Sequence, residues 1–216
     1  MSKVRFQVSV SLDGYVAGPN QSLETPLGEG GEEIASWVHR LKSFRELQGM
    51  EGGGETGPSD DVFQEAFTNL GATVMGRNMF GPIRGPWGDS DWRGWWGESP
   101  PFHTPVFVLT HHPRQPLEMD GGTTFIFVTD GIEPAIAQAK AAAGDRDVHI
   151  GGGGSTLDQA LAAGFVDEFE LHVVPSVLGA GTRLFQDLGS ARPRLQLLRT
   201  VPTDDVTHLK YRVIRD

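Results

Sequence analysis

Apolar and polar residues alternate at the start of the chain and predict a strand there. Val4, Phe6, Val8 and Val10 are separated by polar residues, which is the period-two pattern of a strand with one buried face. From residue 32 to residue 47 the apolar residues recur every three or four positions instead. That spacing predicts one amphipathic helix over 32–47.

Shorter apolar runs, bounded by glycine, proline and polar residues, predict the remaining elements. The predicted strands span residues 72–76, 105–110, 124–129, 147–151, 166–175, 194–201 and 207–216. Helices are predicted after residue 59, over 130–144 and after residues 155 and 156. Ser59, Asp130 and either Ser155 or Thr156 are residue types that cap helix N-termini, and we expect them to do so here.

The order of these elements indicates the fold class. Strands alternate with helices through most of the chain, and a run of strands follows, which is typical of an α/β protein with a mainly parallel sheet and an antiparallel C-terminal edge. The glycine-rich segment 49–58 is interpreted as a surface linker. Only about fifty residues precede it, too few for a convincing separate core, so one domain over 1–216 is expected.

Composition narrows the range of partners. The formal net charge of -10 argues against a nucleic-acid partner, because phosphate backbones attract basic surfaces. The chain has no cysteine, which excludes disulfides, thiolate nucleophiles and cysteine-ligated metals. The seven histidines are scattered, and no metal site is predicted. No apolar run approaches the ~18 residues of a membrane span and no signal peptide is evident, so a cytoplasmic protein without a membrane partner is expected.

Four consecutive glycines, Gly151–Gly154, stand between a predicted strand and a predicted helix in the segment HIGGGGSTLDQAL. Glycines at a helix N-terminus let a ligand approach the backbone N–H groups, and the helix dipole favours an anion there. A tight turn that needs only one or two glycines explains the run equally well. The glycine run by itself leaves both interpretations open.

Arginines follow two other predicted strands. Arg77 comes after strand 72–76 and Arg114 after strand 105–110, and ligands of open α/β sheets bind beyond the carboxyl ends of parallel strands. Each arginine alone is more commonly a solvated surface residue, although a guanidinium binds phosphate well. Together with the glycine run they predict NADPH in preference to NADH, since no acidic residue suited to a free ribose 2′-hydroxyl stands at the expected distance from the glycines.

Four tryptophans, Trp87, Trp92, Trp95 and Trp96, lie within ten residues of one another. Their faces could stack on a flat heterocyclic ligand. They could instead pack the long loop down or form a dimer contact. We favour these packing roles because four large rings exceed what one ligand needs.

Five segments, in this order, resemble the dihydrofolate reductase-like superfamily: SVSLDGYVAG, VMGRNMF, PVFVLTHHPR, VHIGGGGSTLDQAL and DEFELHVVPSVLGAGTRLF. The resemblance is closest to the reductase (C-terminal) domain of the bacterial bifunctional riboflavin biosynthesis protein RibD, and it spans nearly the whole chain. It implies a three-layer α/β/α fold with a central, mostly parallel mixed sheet. It also implies NADPH as the hydride donor, and a homodimer, for which 192–200 and 206–214 are plausible contact strands.

The resemblance assigns roles residue by residue. It implies that the cofactor phosphates meet Gly76, Arg77, Thr110 and Arg114, the last two beside the 2′-phosphate. The pyrophosphate loop would be Gly152, Gly153, Gly154, Ser155 and Thr156. The loop that closes over nicotinamide and substrate would contain Ser11, Leu12, Asp13 and Gly14. A substrate-binding carboxylate on the first helix would be Glu33, with Glu32 as the neighbouring candidate.

The chain departs from bifunctional RibD in having no cysteine and no zinc deaminase domain, so a stand-alone reductase is expected. Asp13 is the first choice to orient the substrate or relay a proton, although a turn residue in an Asp-Gly pair is an open alternative. The predicted function is NADPH-dependent reduction of a small nitrogen heterocycle, or of its ribityl or ribosyl derivative. A non-catalytic nucleotide-binding protein and a flavin-using oxidoreductase are the alternatives.

Overall fold

The structure is a computed structural model that describes residues 2–82, 84–88 and 91–215. The two ends of the predicted domain, Met1 and Asp216, lie outside the described residues. The chain forms two compact units. The first unit comprises Met1–Arg5, Asn69–Val166 and Asp187–Arg192, and the second comprises Phe6–Thr68, Asp167–Gln186 and Pro193–Asp216. The expectation of one domain over 1–216 stays a prediction.

The regular elements follow in chain order. The strands are β1 (Val4–Ser11), β2 (Tyr15–Ala17), β3 (Leu70–Gly76), β4 (Pro105–Leu109), β5 (Leu117–Glu118), β6 (Thr124–Val128), β7 (Asp147–Ile150), β8 (Glu168–Val174), β9 (Thr182–Arg183), β10 (Arg194–Pro202) and β11 (Thr207–Ile214). The helices are α1 (Gly31–His39), α2 (Lys42–Leu47), α3 (Pro58–Ala66), α4 (Arg77–Phe80), α5 (Ile132–Ala143) and α6 (Gly154–Ala162). None of these described helices is long and apolar enough to cross a bilayer.

The first unit is built on strands in the order β7-β3-β4-β6-β5, parallel except for β5. Six consecutive residues of β3, from Gly71 to Gly76, are buried, as expected for a strand with parallel neighbours on both sides and both faces covered. Val74 of β3 lies opposite Phe107 of β4 and Ile150 of β7. The carboxyl ends of these three strands therefore lie side by side.

The second unit carries the antiparallel part of the fold. Strand β11 pairs antiparallel with β10 on one side and with β8 on the other, and β2 pairs with β9 in a separate two-stranded sheet. The predicted fold class, α/β with a mostly parallel sheet and an antiparallel C-terminal edge, is confirmed.

The prediction of one helix over 32–47 is wrong. Helix α1 ends at His39, α2 begins at Lys42, and Leu41 between them is extended, with φ -66° and ψ 141°. Leu41 forms a bridge with Glu55, whose N–H donates to the carbonyl of Arg40. The apolar spacing continues across the break because both helices face the same core, but the backbone pairing with segment 49–58 interrupts the helix.

The predicted helix caps are also wrong. Helices α3, α5 and α6 each begin after a glycine that makes no side-chain capping bond: Gly57, Gly131 and Gly153. Ser59 lies inside α3, Asp130 precedes the cap of α5, and both Ser155 and Thr156 lie inside α6. Gly57 and Gly131 have φ of 132° and 97°, values that serine or aspartate rarely adopts.

A buried hydrogen-bonded chain crosses the core of the second unit. His172 and His208 face each other across β8 and β11, with their Nδ1 atoms 2.8 Å apart. His172 Nε2 lies 3.0 Å from Gln7 Oε1, and His208 Nε2 lies 3.0 Å from the Ser59 hydroxyl. With both rings neutral every contact is satisfied: Ser59 donates to His208, His208 donates to His172, and His172 donates to Gln7. Trp37 packs edge-on against both imidazoles.

This chain predicts a loss of stability in mild acid. Burial lowers the pKa of His172 to about 3 and that of His208 to about 4, and the charge of Arg199 acts in the same direction on both. The unfolded imidazoles bind protons below their ordinary pKa, so stability is complete above that value and falls as pH drops toward the folded pKa values. We expect the free energy of unfolding to fall by about 1 to 2 kcal/mol from His172 alone between pH 7 and pH 5.

Urea denaturation at the two pH values measures this loss. The double variant His172→Gln/His208→Gln should show a smaller pH dependence, whereas substitution of the exposed His39 by Gln should leave it unchanged. Equal pH dependence in the double variant and wild type would contradict the assignment.

Candidate nucleotide-binding site

The loop after β7 is held against the end of β3 in the first unit. The N–H of Gly151 donates to the carbonyl of Val74 at 2.8 Å, and the N–H of Gly76 donates to the carbonyl of Gly152 at 2.8 Å. A Cβ at Gly76 would lie 2.5 Å from the Thr156 hydroxyl oxygen, far inside van der Waals contact. Glycine at 76 therefore lets the first turn of α6 lie directly on the end of β3.

The N-terminus of α6 presents free backbone donors. Gly153 caps the helix with no side-chain hydrogen bond, and its carbonyl accepts from Thr156 and Leu157. Within the described part of the chain, the N–H groups of Gly154 and Ser155 have no acceptor. A Cβ at Gly153 would meet nothing within 4 Å, so open space adjoins these donors, and the first turn of α6 carries no acidic residue. This arrangement suits an anion.

Arg77 lies at the start of α4, directly after β3. Its guanidinium donates to the Thr110 hydroxyl at 3.0 Å and to the carbonyl of Gly85 at 2.9 Å. It also stacks on Trp87, with 3.3 Å between the guanidinium carbon and the ring centroid. Among the described residues no carboxylate forms an ion pair with Arg77. Arg77 is thus a positioned cation that retains in-plane N–H groups for a ligand.

Thr110 follows β4, and its hydroxyl is fully used by its neighbours. It accepts from Arg77 and from the N–H of His112 at 3.1 Å, and it donates to the carbonyl of His112 at 3.3 Å. A hydroxyl has one donor and two acceptor lone pairs. The geometry therefore gives Thr110 the role of positioning Arg77.

Arg114 extends the positive charge at this edge of the first unit. Its guanidinium carbon lies 4.7 Å from the Trp87 ring centroid and 5.4 Å from that of Phe127. Burial lowers the pKa of Arg77, and the like charges of Arg84 and Arg114 lower that pKa further. Both arginines remain protonated at neutral pH because guanidinium does not titrate there. A neighbouring anion would relieve this repulsion.

The tryptophan loop packs against the apolar core of the first unit. Trp87, Trp92 and Trp96 pack with Phe80 and Phe125 in one cluster. The Trp92 indole N–H donates to the carbonyl of Phe80 at 3.0 Å. The packing interpretation is therefore the one that the geometry supports for Trp92 and Trp96. For Trp87 packing is only part of the role, because the guanidinium groups of Arg77 and Arg114 also lie over its ring.

Asp13, in the second unit, links the loop of residues 11–14 to the loop of residues 178–179 by hydrogen bonds. Its carboxylate accepts from the Ser11 hydroxyl at 2.6 Å and from the N–H groups of Leu178 and Gly179 at 3.1 and 2.7 Å. The hydrogen bond from Ser11 is the main cause that lowers the pKa of Asp13, with the two backbone donors adding to it. The carboxylate is therefore ionised at neutral pH and acts as an acceptor.

Gly14 completes the turn that presents Asp13. Its φ of 89° is in the left-handed region that favours glycine, and its N–H donates to the carbonyl of Ser11 at 3.0 Å. Glu33 lies in the first turn of α1 and is exposed. In the described part of the chain its carboxylate makes no hydrogen bond or ion pair, so no contact joins it to the turn of Asp13.

The chain matches a model of a known protein family. The model described as RibD C-terminal domain matches residues 2–209. The chain belongs to the RibD C-terminal domain family. The predicted resemblance is confirmed by this match, which spans both units.

Individual relatives agree with this placement. The uncharacterized protein YwjB of Bacillus subtilis is 24% identical over 97% of each chain. A Shewanella sp. PV-4 protein, named as a candidate riboflavin biosynthesis protein, has a similar structure with a TM-score of 0.63, 21% identity and 99% of each chain covered. Dihydrofolate reductase from Enterococcus faecalis, complexed with NADP(H), gives a TM-score of 0.52 at 14% identity, covering 98% of this chain and 96% of that one. The two solved structures confirm the dihydrofolate reductase-like fold.

The bonds to Asp13 predict a local change in hydrogen exchange. In Asp13→Ala, the N–H groups of Leu178 and Gly179 lose their acceptor, so we expect their exchange to accelerate by about tenfold or more, the equivalent of one weak hydrogen bond. Amide exchange followed by NMR measures this. Asp145→Ala, at an exposed aspartate of the first unit, is the matched control and should leave both amides unchanged. Unaltered exchange in Asp13→Ala would show that the carboxylate does not hold the loop.

Proposed function

We propose that this chain is a reductase that uses NADPH to reduce a small nitrogen heterocycle, or a ribityl or ribosyl derivative of one. Membership of the RibD C-terminal domain family supports a reductase of the riboflavin-pathway type. The NADP(H) named for the Enterococcus dihydrofolate reductase of the same fold supports the choice of cofactor.

The observation that carries the proposal is the anion site of the first unit. Backbone donors at Gly154 and Ser155, open space beside Gly153 and the cations Arg77 and Arg114 lie at the carboxyl ends of the neighbouring strands β7, β3 and β4. Two kinds of anion receptor at one sheet edge suit a ligand with two separate phosphate groups. NADPH has such groups in its pyrophosphate and its 2′-phosphate.

Each residue of the site has a separate role in binding the cofactor. NADPH, when bound, supplies a hydride to the substrate. In the proposal, the N–H groups of Gly154 and Ser155 bind the pyrophosphate, and glycine at 152 and 153 keeps side chains out of its way. Thr156 and Gly76 seat the helix on β3, while Thr110 holds Arg77 in place for the 2′-phosphate.

Asp13 is proposed as a positioning residue of the loop that would cover the substrate. Its carboxylate already accepts three hydrogen bonds and is ionised, which supports orientation of the 11–14 and 178–179 segments rather than donation of a proton. Ser11 and Gly14 belong to the same turn. Glu33, exposed and without a partner among the described residues, remains a proposed substrate-binding residue.

A non-catalytic nucleotide-binding protein is the second candidate. The Asp13 carboxylate is ionised and hydrogen-bonded within its own loops, so it does not act as a general acid, and this favours the second candidate. Steady oxidation of NADPH with any member of a panel of pterins and aminopyrimidines would establish the reductase, whereas binding without oxidation would favour the second candidate.

A homodimer through 192–200 and 206–214 stays a prediction. Leu195 and Leu197 are exposed there.

Gly153→Val tests the nucleotide site. The φ and ψ of residue 153, -79° and -175°, lie in the β region that L-residues adopt, and a Cβ there would meet nothing within 4 Å, so we expect the variant to fold. The added side chain would fill the open space beside the helix N-terminus, and we expect NADPH to bind at least about tenfold more weakly, a loss of about 1.4 kcal/mol. Isothermal titration calorimetry measures the affinity.

Ala162→Val is the matched control, since it places the same side chain at the exposed far end of α6. It should bind NADPH like wild type. If Gly153→Val folds and binds NADPH with unchanged affinity, the glycine run is a turn and the proposed phosphate site is wrong.

A further inference from the structure

Two guanidinium groups lie over one indole in the first unit. The guanidinium carbons of Arg77 and Arg114 are 3.3 and 4.7 Å from the centroid of the Trp87 ring. A cation over the face of tryptophan is attracted by the ring quadrupole. One aromatic side chain therefore holds both cations of the proposed 2′-phosphate site.

Trp87 is itself fixed by its surroundings. It is 8% exposed, and its indole N–H donates to the carbonyl of His112 at 2.9 Å. Its ring packs edge-to-face on Phe80 at 5.8 Å and on Phe127 at 5.1 Å between centroids. An immobile ring restricts the rotamers of any arginine stacked on it, so less entropy is lost when those arginines bind a ligand.

Stacking on the indole leaves part of the binding edge of Arg77 available. The contact with the indole uses the flat face, whereas the N–H groups point outward in the plane of the guanidinium. Arg77 uses two of these N–H groups for Thr110 and Gly85. The remaining in-plane donors suit the oxygens of a phosphate.

The charges around the ring favour an anion of high charge. Burial lowers the pKa of both Arg77 and Arg114. Arg84 and Arg114 lower the pKa of Arg77 further, and Arg93 lowers that of Arg114, while Asp91 raises it. Without a scaffold, such like charges would separate into solvent. Trp87 holds the guanidinium groups of Arg77 and Arg114 at one ring.

We propose that Trp87 is a specificity-determining positioning residue that makes this site prefer a 2′-phosphorylated adenine nucleotide. The inference rests on the proposed function, because it concerns the 2′-phosphate of the same cofactor. The inference goes beyond the proposed function because it assigns the preference for a 2′-phosphate to Trp87, which contacts the two arginines and need not contact the ligand.

The probes are adenosine 2′,5′-bisphosphate and adenosine 5′-monophosphate, which differ only in the 2′-phosphate. Calorimetry gives the ratio of their affinities for wild type, Trp87→Leu and Trp87→Phe. Trp96→Leu is the matched control, since Trp96 packs in the same apolar cluster but no guanidinium is stacked on it among the described residues. The ratio cancels any general loss of stability.

We expect wild type to prefer the bisphosphate, and Trp87→Leu to lower that preference by about tenfold, the loss of one to two cation–π contacts. Affinity for the monophosphate should change by no more than about twofold, within the range of a neutral surface substitution. Trp87→Phe, which restores an aromatic face, should recover most of the preference, and Trp96→Leu should keep the wild-type ratio.

A folded Trp87→Leu with the wild-type ratio would overturn the inference while leaving the proposed function intact. Failure of wild type to bind either probe would instead overturn the proposed function.

A measurement on wild type covers the case in which Trp87→Leu does not fold. The Nε–H signals of Arg77 and Arg114 should be shifted by the indole ring current in NMR spectra, and they should stay shifted when the bisphosphate is bound. If the bisphosphate binds and the ring-current shifts disappear, the arginines leave Trp87 to bind phosphate, and the ring is not their platform.

Discussion

The close approach of α6 to the end of β3 is the constraint on which the candidate site depends. Gly76 donates to Gly152, Gly151 donates to Val74, and the missing side chain at Gly76 leaves room for Thr156. Because of these contacts the free N–H groups of the helix lie at the same edge as the residue that follows β3, which is Arg77. Any side chain at position 76 would push the helix N-terminus away from that edge.

A balance of charge and stacking shapes the other half of the site. Burial disfavours the charge of Arg77 and of Arg114, and the charges of Arg84 and Arg114 further disfavour that of Arg77. Stacking on Trp87 and the bond from Arg77 to Thr110 compensate for part of this cost. Cations that are held together at such a cost are typical of a surface that binds an anion.

The strands, and the sheet edge at which the candidate site lies, could be predicted from sequence, because both depend on local pattern. Apolar runs located β3, β4 and β7, and the rule that parallel strands end at one edge placed Arg77 near the glycine run. The break at Leu41 could not be predicted, since it depends on pairing with Glu55, which is distant in sequence. The side chain of Ser59 has the chemistry of a helix cap, but Gly57 supplies the backbone conformation that the helix start requires.

The grouping of Arg77, Trp87 and Arg114 could not be read from the sequence either. Nothing in the spacing of 77, 87 and 114 indicates that the three side chains meet, and the tryptophans stood out only as a cluster. The contacts of the Asp13 carboxylate with Leu178 and Gly179 are equally non-local. In both cases the residue types suggested the chemistry, and the fold supplied the partners.

Hydrogen exchange at individual amides, with and without NADPH, tests the central claim most directly. The N–H groups of Gly154 and Ser155 have no acceptor in the described part of the chain, so they should exchange fast in the free protein. We expect saturating NADPH to slow both amides strongly while the amides near Ala162, at the far end of α6, stay unchanged. NADPH binding, established by calorimetry, without slower exchange at Gly154 and Ser155 would contradict the assignment of the phosphate site.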